Sequence, residues 1–340
     1  VGDPLQDGKA YRKMAAANLS ETGSVDIQLN ETAWQAADEM IAAADALRLG
    51  VSTSECGTRI IDCGVKSAGG LEAGRRLAEI CLAGLGRVEI EPGRGEVAGA
   101  PLVAVQTDQP VLACLASQYA GWQLSGDRFF AMGSGPMRAA AAKEALFADL
   151  DFREQAGRVV GILESGKLPT EEICRKIANA CGVEPERITL LVARTASLAG
   201  TVQVVARTVE TALHKLHELK FDLTRIRSGI GVAPLPPVAV DDLAGIGWTN
   251  DAVLYGGEVT LWVTGDDDCL QAIGRQVPSC SSRDYGEPFA AVFARAGHDF
   301  YKIDPQLFSP GRMTFVNLDS GKTYRFGQLR PDVLAASYGW

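Results

Sequence analysis

Histidine is nearly absent from this chain, at three residues in 340, and the scarcity narrows its chemistry. There is no Gly-x-Ser-x-Gly motif and no histidine placed to complete a nucleophilic triad. His214 and His217 stand at i, i+3 on an expected helix, but no further ligand lies near them in sequence, so no metal is assigned. The eight cysteines (Cys56, Cys63, Cys81, Cys114, Cys174, Cys181, Cys269, Cys280) never form Cys-x-x-Cys. Most sit in apolar runs, which reads as buried free thiols in a reducing cytoplasm rather than as disulfides. No apolar run is long enough to cross a membrane. Basic residues are outnumbered, 33 to 42, for a net charge of −9, and no basic cluster offsets this, which speaks against nucleic-acid binding. Asp266 to Asp268 lack the spacing of a calcium loop and read as a solvated turn. There is no fixed-period repeat and no low-complexity linker. Residues 1–28 are polar, without a hydrophobic signal core, and read as an extension or expression remnant.

What is present is a core-forming composition, 46% hydrophobic, in a length sufficient for two domains. Asn30 or Thr32 can cap a helix reaching about Leu47, with Trp34, Ala37, Ile41, Ala44 and Leu47 on one stripe. Two strands then form a hairpin about Cys56-Gly57, and Gly69-Gly70 opens a helix over about Leu71 to Leu82. Strands are expected at Val88 to Glu91, Leu102 to Thr107 and Phe129 to Met132, with a short helix after Pro110. In the second half, Val159 to Glu164 and Ile188 to Val192 read as strands, and Thr170 caps the helix between them. Gly229 to Pro237 reads as a loop and Val253 to Val263 as a strand, with a last hairpin turning at Asp319 to Gly321. This alternation predicts an α/β fold. The polar stretch 148–157 suggests a boundary between an α/β domain over 29–150 and a second over 151–340, whose C-terminal segment packs back on either.

The stretch Thr195-Ala-Ser-Leu-Ala-Gly-Thr-Val-Gln-Val-Val-Ala-Arg207-Thr-Val-Glu210 carries the most chemistry. It runs from a strand end through small and hydroxyl residues into a helix on which Arg207 and Glu210 share a face. Such pairs are ordinarily solvated surface pairs. Here the neighbours are small and apolar, which argues against a fully wet face. Gly133-Ser134-Gly135-Pro136, between a strand and a helix, reads equally as an anion or ring-edge cradle and as a plain tight turn. No Lys-Ser/Thr follows, so it is neither a P-loop nor a dinucleotide fingerprint. Glu72, after Gly69-Gly70, is a first-turn acid with the same double reading.

These blocks, in order, resemble the methenyltetrahydromethanopterin cyclohydrolases. The resemblance is carried by Ile61-Asp-Cys-Gly-Val, Gly69-Gly-Leu-Glu-Ala-Gly, Glu79-Ile-Cys-Leu-Ala-Gly, Leu112-Ala-Cys-Leu-Ala-Ser-Gln118-Tyr-Ala-Gly-Trp122, Phe130-Ala-Met-Gly-Ser-Gly-Pro136 and the stretch above. Trp248-Thr-Asn-Asp251 and Phe300-Tyr-Lys-Ile-Asp304 complete it, so it covers about residues 30 to 338. Gln118 to Trp122, Ser197-Leu-Ala-Gly and Leu213-His-Lys are more similar to the bacterial branch than to the methanogen branch. Arg194 stands where the family usually has Pro, Thr201 where Ser is usual, and Trp248 where Arg or Ser is common. These departures bear on substrate contacts.

The resemblance implies two α/β domains with mixed sheets, a substrate cleft between them and a homotrimeric assembly. It implies reversible hydrolysis of N5,N10-methenyl-tetrahydromethanopterin to the N5-formyl form, in formaldehyde oxidation by methylotrophs. The methenyl carbon is an amidinium and already electrophilic, so no cofactor is called for; the pterin is the substrate. The family's catalytic Arg and Glu fall on Arg207 and Glu210, with Glu210 expected as the base and Arg207 as the group that orients it and favours its ionised form. Gln203, Thr195, Ser197 and Thr201 are expected to hold the water or the pterin. Gln118, with Ser117, Tyr119 and Trp122 beside it, Gly133 to Pro136 and Thr249, Asn250 and Asp251 are expected as further substrate contacts, though the last three are also ordinary turn formers. Two rival readings are a pterin-binding protein without chemistry and a folate enzyme, such as a methenyl-folate cyclohydrolase or a formyl transferase. The first would be favoured by loss of the Arg/Glu pair. Folate cyclohydrolases carry a dinucleotide-binding pattern that is absent here.

Overall fold

The computed structural model describes residues 27–93 and 99–339. The segment expected as an extension lies, up to residue 26, outside the described residues. Among the described residues, the strands form two six-stranded mixed sheets. The first contains β1 (Gly50–Thr53), β2 (Arg59–Asp62), β5 (Trp122–Gly126), β6 (Phe129–Ser134), β7 (Val159–Glu164) and β8 (Ile188–Ala193), in the order β1-β2-β8-β7-β6-β5. Its centre, β2-β8-β7, is parallel, and its edges are antiparallel hairpins. The second contains β3 (Gly86–Glu91), β4 (Leu102–Thr107), β9 (Ile226–Pro234), β10 (Glu258–Val263), β11 (Arg312–Asn317) and β12 (Thr323–Gly327), in the order β12-β11-β10-β9-β4-β3. Only β10 and β11 run parallel within it.

The boundary expected near residue 150 does not separate these sheets. β2 pairs with β8 and β4 pairs with β9, so each sheet takes strands from both sides. Residues 148–157 are polar because they form a largely exposed connection into β7.

The helices, in chain order, are α1 (Leu29–Ala42), α2 (Ala44–Leu47), α3 (Leu71–Cys81), α4 (Met137–Ala141), α5 (Ala145–Leu150), α6 (Glu171–Cys181), α7 (Leu198–Val205), α8 (Thr208–Glu218), α9 (Asp242–Gly256), α10 (Asp267–Gly274), α11 (Phe289–Arg295) and α12 (Pro331–Tyr338). A π-helix spans Val111–Gln118. The cap expected for α6 is made: the Thr170 hydroxyl accepts from the Ile173 N–H, Glu171 and Glu172 fill the first turn, and Gly182 ends the helix with φ of +70°. α4 and α6 cover one face of the first sheet, through Met137, Ile173 and Ile177. α1 and α3 cover the other, through Trp34, Met40, Leu77 and Ile80. α7, α8 and the π-helix pack on the second sheet, through Val202, Val205, Val209, Leu213 and Leu115. The α7–α8 segment and its neighbours are thus a helical layer between two sheets. That position buries whatever polar groups they carry.

Two expectations for the second half are corrected. Gly229 to Pro237 is not a loop; up to Pro234 it is the central strand β9, paired on both sides. Its glycines mark close approach to α8: a Cβ at Gly231 would lie 2.8 Å from Val209 Cγ2. Val253 to Val263 is not one strand. α9 runs on to Gly256, and β10 begins at Glu258. α9 hides its amphipathic period because it is packed on several sides, by α7, β9, α11 and α12.

All eight cysteines are free; Cys269 is half-buried, Cys280 exposed and the others buried. No helix among the described residues is long and apolar enough to cross a membrane.

Candidate functional site

The stretch from Thr195 to Glu210 makes two helices where one was expected. The Ser197 side chain caps α7, accepting from the Gly200 N–H at 3.1 Å. α7 stops at Val205, and Arg207 is the N-cap of α8, with φ −84° and ψ 6°. The Thr208 hydroxyl donates to the freed Val205 carbonyl at 2.8 Å. This break turns the Arg207 side chain inward between the helices.

Arg207 is 7% exposed and Glu210 4%, so the pair is not a solvated surface feature. Arg207 Nη1 lies 3.8 Å from Glu210 Oε2. The same nitrogen donates to the Gln118 carbonyl at 2.8 Å, and Nη2 donates to Ser134 Oγ at 3.0 Å. Gln118 is the last residue of the π-helix, and Ser134 the last of β6. Gln118 Nε2 in turn donates to the Ala206 carbonyl at 3.0 Å, bracing the break between α7 and α8. Cys81 Sγ stands 3.4 Å from Ser134 Oγ and 3.8 Å from Gln203 Nε2. The fold therefore gathers Gln118, Ser134 and Gln203 about Cys81, with Arg207 joined to them through Gln118 and Ser134 and Glu210 beside Arg207. Two buried polar atoms of this cluster, Arg207 Nε and Gln118 Oε1, have no partner among the described residues. A buried donor and a buried acceptor left unmet in one cluster are what a polar ligand would satisfy. A π-helix ending on one of them fits the tendency of that irregularity to mark functional sites.

Burial pushes the Glu210 carboxyl up to about 7, against the pull of the Arg207 and Arg138 cations. The expected effect of Arg207 has the right sign, but desolvation outweighs it. The Cys114 thiol is raised well above its ordinary value, by burial and then by Glu210. Tyr119 is pushed up to about 12 for the same two reasons. His214, one turn along α8 from Glu210, stacks on the Tyr119 ring at 4.5 Å, and burial lowers it to about 4. His217 turns away to Asp149, at 2.9 Å. Among the described residues, no group of three or more His, Cys, Asp or Glu is placed to hold a metal.

Of the remaining expected contacts, Gly133 and Gly135 flank Ser134, and the others stand apart from the Arg207 cluster. Gly135 and Pro136 form the tight turn of the plainer reading: the Gly135 N–H donates to the Ser117 carbonyl, and the Pro136 carbonyl accepts from Asn30. Gly133 is a β6 residue opposite Trp122 and Leu163. Thr195, Ser197 and Thr201 sit at the far end of α7. The Thr195 hydroxyl donates to Glu164 Oε1 at 2.5 Å, and the Thr201 hydroxyl to the Thr195 and Ser197 carbonyls. Thr249, Asn250 and Asp251 lie within α9, not in a turn before a strand. Thr249 and Asn250 bond back to the Gly245 and Ile246 carbonyls. Asp251 accepts from the Phe289 N–H and the Ser337 hydroxyl, tying α11 and α12 to α9. Of the departures from the family pattern, Arg194 pairs with Asp242 at 3.0 Å, and Trp248 packs edge-on against Tyr338.

Arg138, Cys81 and Glu164 were not singled out from the sequence. Arg138 had a signal: it is the one charge in Met137-Arg-Ala-Ala-Ala-Ala142, and it is fully buried. Cys81 and Glu164 had none beyond their apolar surroundings.

A family model described as "Cyclohydrolase (MCH)" matches residues 28–338. The chain is 49% identical to a methenyltetrahydromethanopterin cyclohydrolase of Xanthobacter autotrophicus over 302 residues, 89% of this chain and 90% of that protein. The chain belongs to the methenyltetrahydromethanopterin cyclohydrolase family. A protein of the same name from Methylobacillus flagellatus is 45% identical over 92% of this chain and 98% of its own length. One from Methanococcoides burtonii is 40% identical over 92% and 98%. The Xanthobacter and Methylobacillus proteins are thus more similar to the chain than the Methanococcoides protein, in line with the bacterial look of Gln118 to Trp122.

Proposed function

We propose that this protein hydrolyses the N5,N10-methenyl bridge of a tetrahydromethanopterin-type one-carbon carrier to the N5-formyl form, reversibly, and that Glu210 is the base. The observation that carries this reading is a buried carboxyl held near 7 beside a buried arginine, in a chain of this family. A carboxyl in that range is both a usable base and a usable acid at neutral pH. Water adds to the amidinium carbon, and Glu210 takes the proton that this oxygen sheds. The C–N10 bond of the neutral adduct then breaks as Glu210 returns its proton to N10. The hydroxyl loses its proton as the formyl C=O forms, so one proton is released overall. Because the bridge carbon is already electrophilic, the step draws on no cofactor.

Arg207, fixed by Gln118 and Ser134, holds the carboxylate in place, and Gln118 Oε1 and Arg207 Nε are the groups turned to the pterin or the water. Gln203 is placed to support them. The helical layer between the two sheets is the proposed location of the substrate cleft, with Thr195, Ser197 and Thr201 contributing from the far end of α7 to a carrier of this length. The homotrimer rests on the family resemblance, and a cytoplasmic location on the free cysteines.

The test is substrate and product identity. Methenyl-tetrahydromethanopterin and methenyl-tetrahydrofolate are each given to the enzyme, and the product is read by NMR. Turnover of the methanopterin to the N5-formyl product is expected. Preference for the folate, or formyl on N10, would overturn the assignment.

A further inference from the structure

Among the described residues, Arg138 is the largest fully buried side chain, and its placement has an order that packing alone does not require. Its guanidinium donates through Nε and Nη2 to the two Glu144 oxygens, at 2.8 and 2.5 Å. Nη1 donates to the Leu115 and Ser117 carbonyls, both at 3.0 Å. These carbonyls belong to the π-helix, and Arg207 takes the next one, Gln118. Two buried arginines on different elements thus hold the carbonyl end of one irregular helix, where backbone acceptors are otherwise left over. Arg138 also lies over the Tyr119 ring at 5.0 Å, and that ring stacks on His214 one turn from Glu210. Gly121 makes room for this assembly: a Cβ there would lie 2.1 Å from Glu144 Oε2 and 2.5 Å from Tyr119 Cε1.

We propose that Arg138 is a positioning residue for the reaction: anchored by Glu144, it fixes the end of the π-helix against Arg207 and acts on Glu210 through that contact and through its charge. The inference rests on Glu210 being the base. The groups around Glu210 are Arg207 and His214 on its own segment, Arg138 from α4, and Cys114 and Tyr119 from the π-helix and its end, with Cys81 from α3 reaching Arg207 through Ser134. Of these, Arg138 is the cation besides Arg207 that draws the Glu210 carboxyl down. Removing it must therefore move the ionisation of Glu210 toward higher pH.

The readout is the pH profile of kcat/KM, which reports the free enzyme. In Arg138→Gln, the lower limb is expected to move to higher pH by on the order of half a unit or more, with kcat falling at least about tenfold at neutral pH. Arg138→Lys keeps the charge but not the fork, so its limb should return toward the wild type while kcat stays depressed. Arg138→Gln leaves Glu144 unpaired and is exposed to misfolding, so the pair Arg138→Gln/Glu144→Gln, which removes both charges together, is measured beside it. Its limb should also move upward, by less. If these folded variants keep the wild-type limb while Glu210→Gln is inactive, the inference about Arg138 fails and the base assignment stands. If Glu210→Gln is itself active, the underlying reading fails first.

Discussion

Replacing Glu210 by Gln should stabilise the fold while abolishing its chemistry, and the stabilisation should depend on pH in a stated way. The carboxyl is raised from 4.5 to about 7 on folding, chiefly by burial. Raising a carboxyl pKa means that the folded state holds its proton when the unfolded chain has released it. Wild-type stability should therefore fall as pH rises from about 4.5 to about 7, and then level off. The shift corresponds to a penalty on the order of 3 kcal/mol once Glu210 is ionised. Glutamine has the same shape and no charge to desolvate, so it escapes this penalty but gives up the attraction of Arg207 for the carboxylate, which the shift already includes. At about pH 8 the variant should be more stable than the wild type by roughly 1 to 3 kcal/mol, and near pH 4 the two should be equal. Paired denaturant titrations across that range measure it, and the wild-type-minus-variant difference cancels the other titrating groups, including the buried Asp251. A variant less stable than the wild type at pH 8, or a difference that does not change with pH, would refute the reasoning that burial dominates at Glu210.

Arg207→Lys keeps the charge but cannot reach both the Gln118 carbonyl and Ser134 Oγ, so kcat should fall by about tenfold or more with a small change in KM, read in steady-state kinetics. Gly231→Ala places a Cβ 2.8 Å from Val209 Cγ2, and should cost about 1 to 3 kcal/mol in chemical denaturation by pushing α8 from β9. Thr170→Ala removes the α6 cap and should cost about 1 kcal/mol by the same measurement, with kcat/KM unchanged.

The Arg207/Glu210 pair was legible because two charges stood in a run of small apolar residues, which pointed to burial on sequence alone. Its partners were less so. Gln118 was visible as a lone amide at a helix end, but nothing in spacing says that a π-helix would deliver its carbonyl to Arg207. Ser134 was found inside a glycine turn, where Gly135 and Pro136 make backbone hydrogen bonds to Ser117 and Asn30. Thr249, Asn250 and Asp251 looked like turn formers because their side chains are polar. In α9 those side chains bond back to the helix or across to α11 and α12, which local sequence does not show. The strands of the first sheet were mostly found because the β-α-β alternation there is clean. β9 was hidden because its glycines serve a close approach by α8 that depends on tertiary packing. The interleaving of the two sheets is likewise long-range, and a polar connection at 148–157 looks the same within one layer as between two.

The most direct test of the central claim is the decay of the methenyl absorbance of methenyl-tetrahydromethanopterin, with wild-type enzyme and Glu210→Gln side by side and a buffer blank. Rapid decay is expected with the wild type, and a loss of at least about a hundredfold in the variant, with its fold intact. A variant within a few-fold of the wild type would contradict Glu210 as the base, and wild-type decay no faster than the blank would contradict the activity itself.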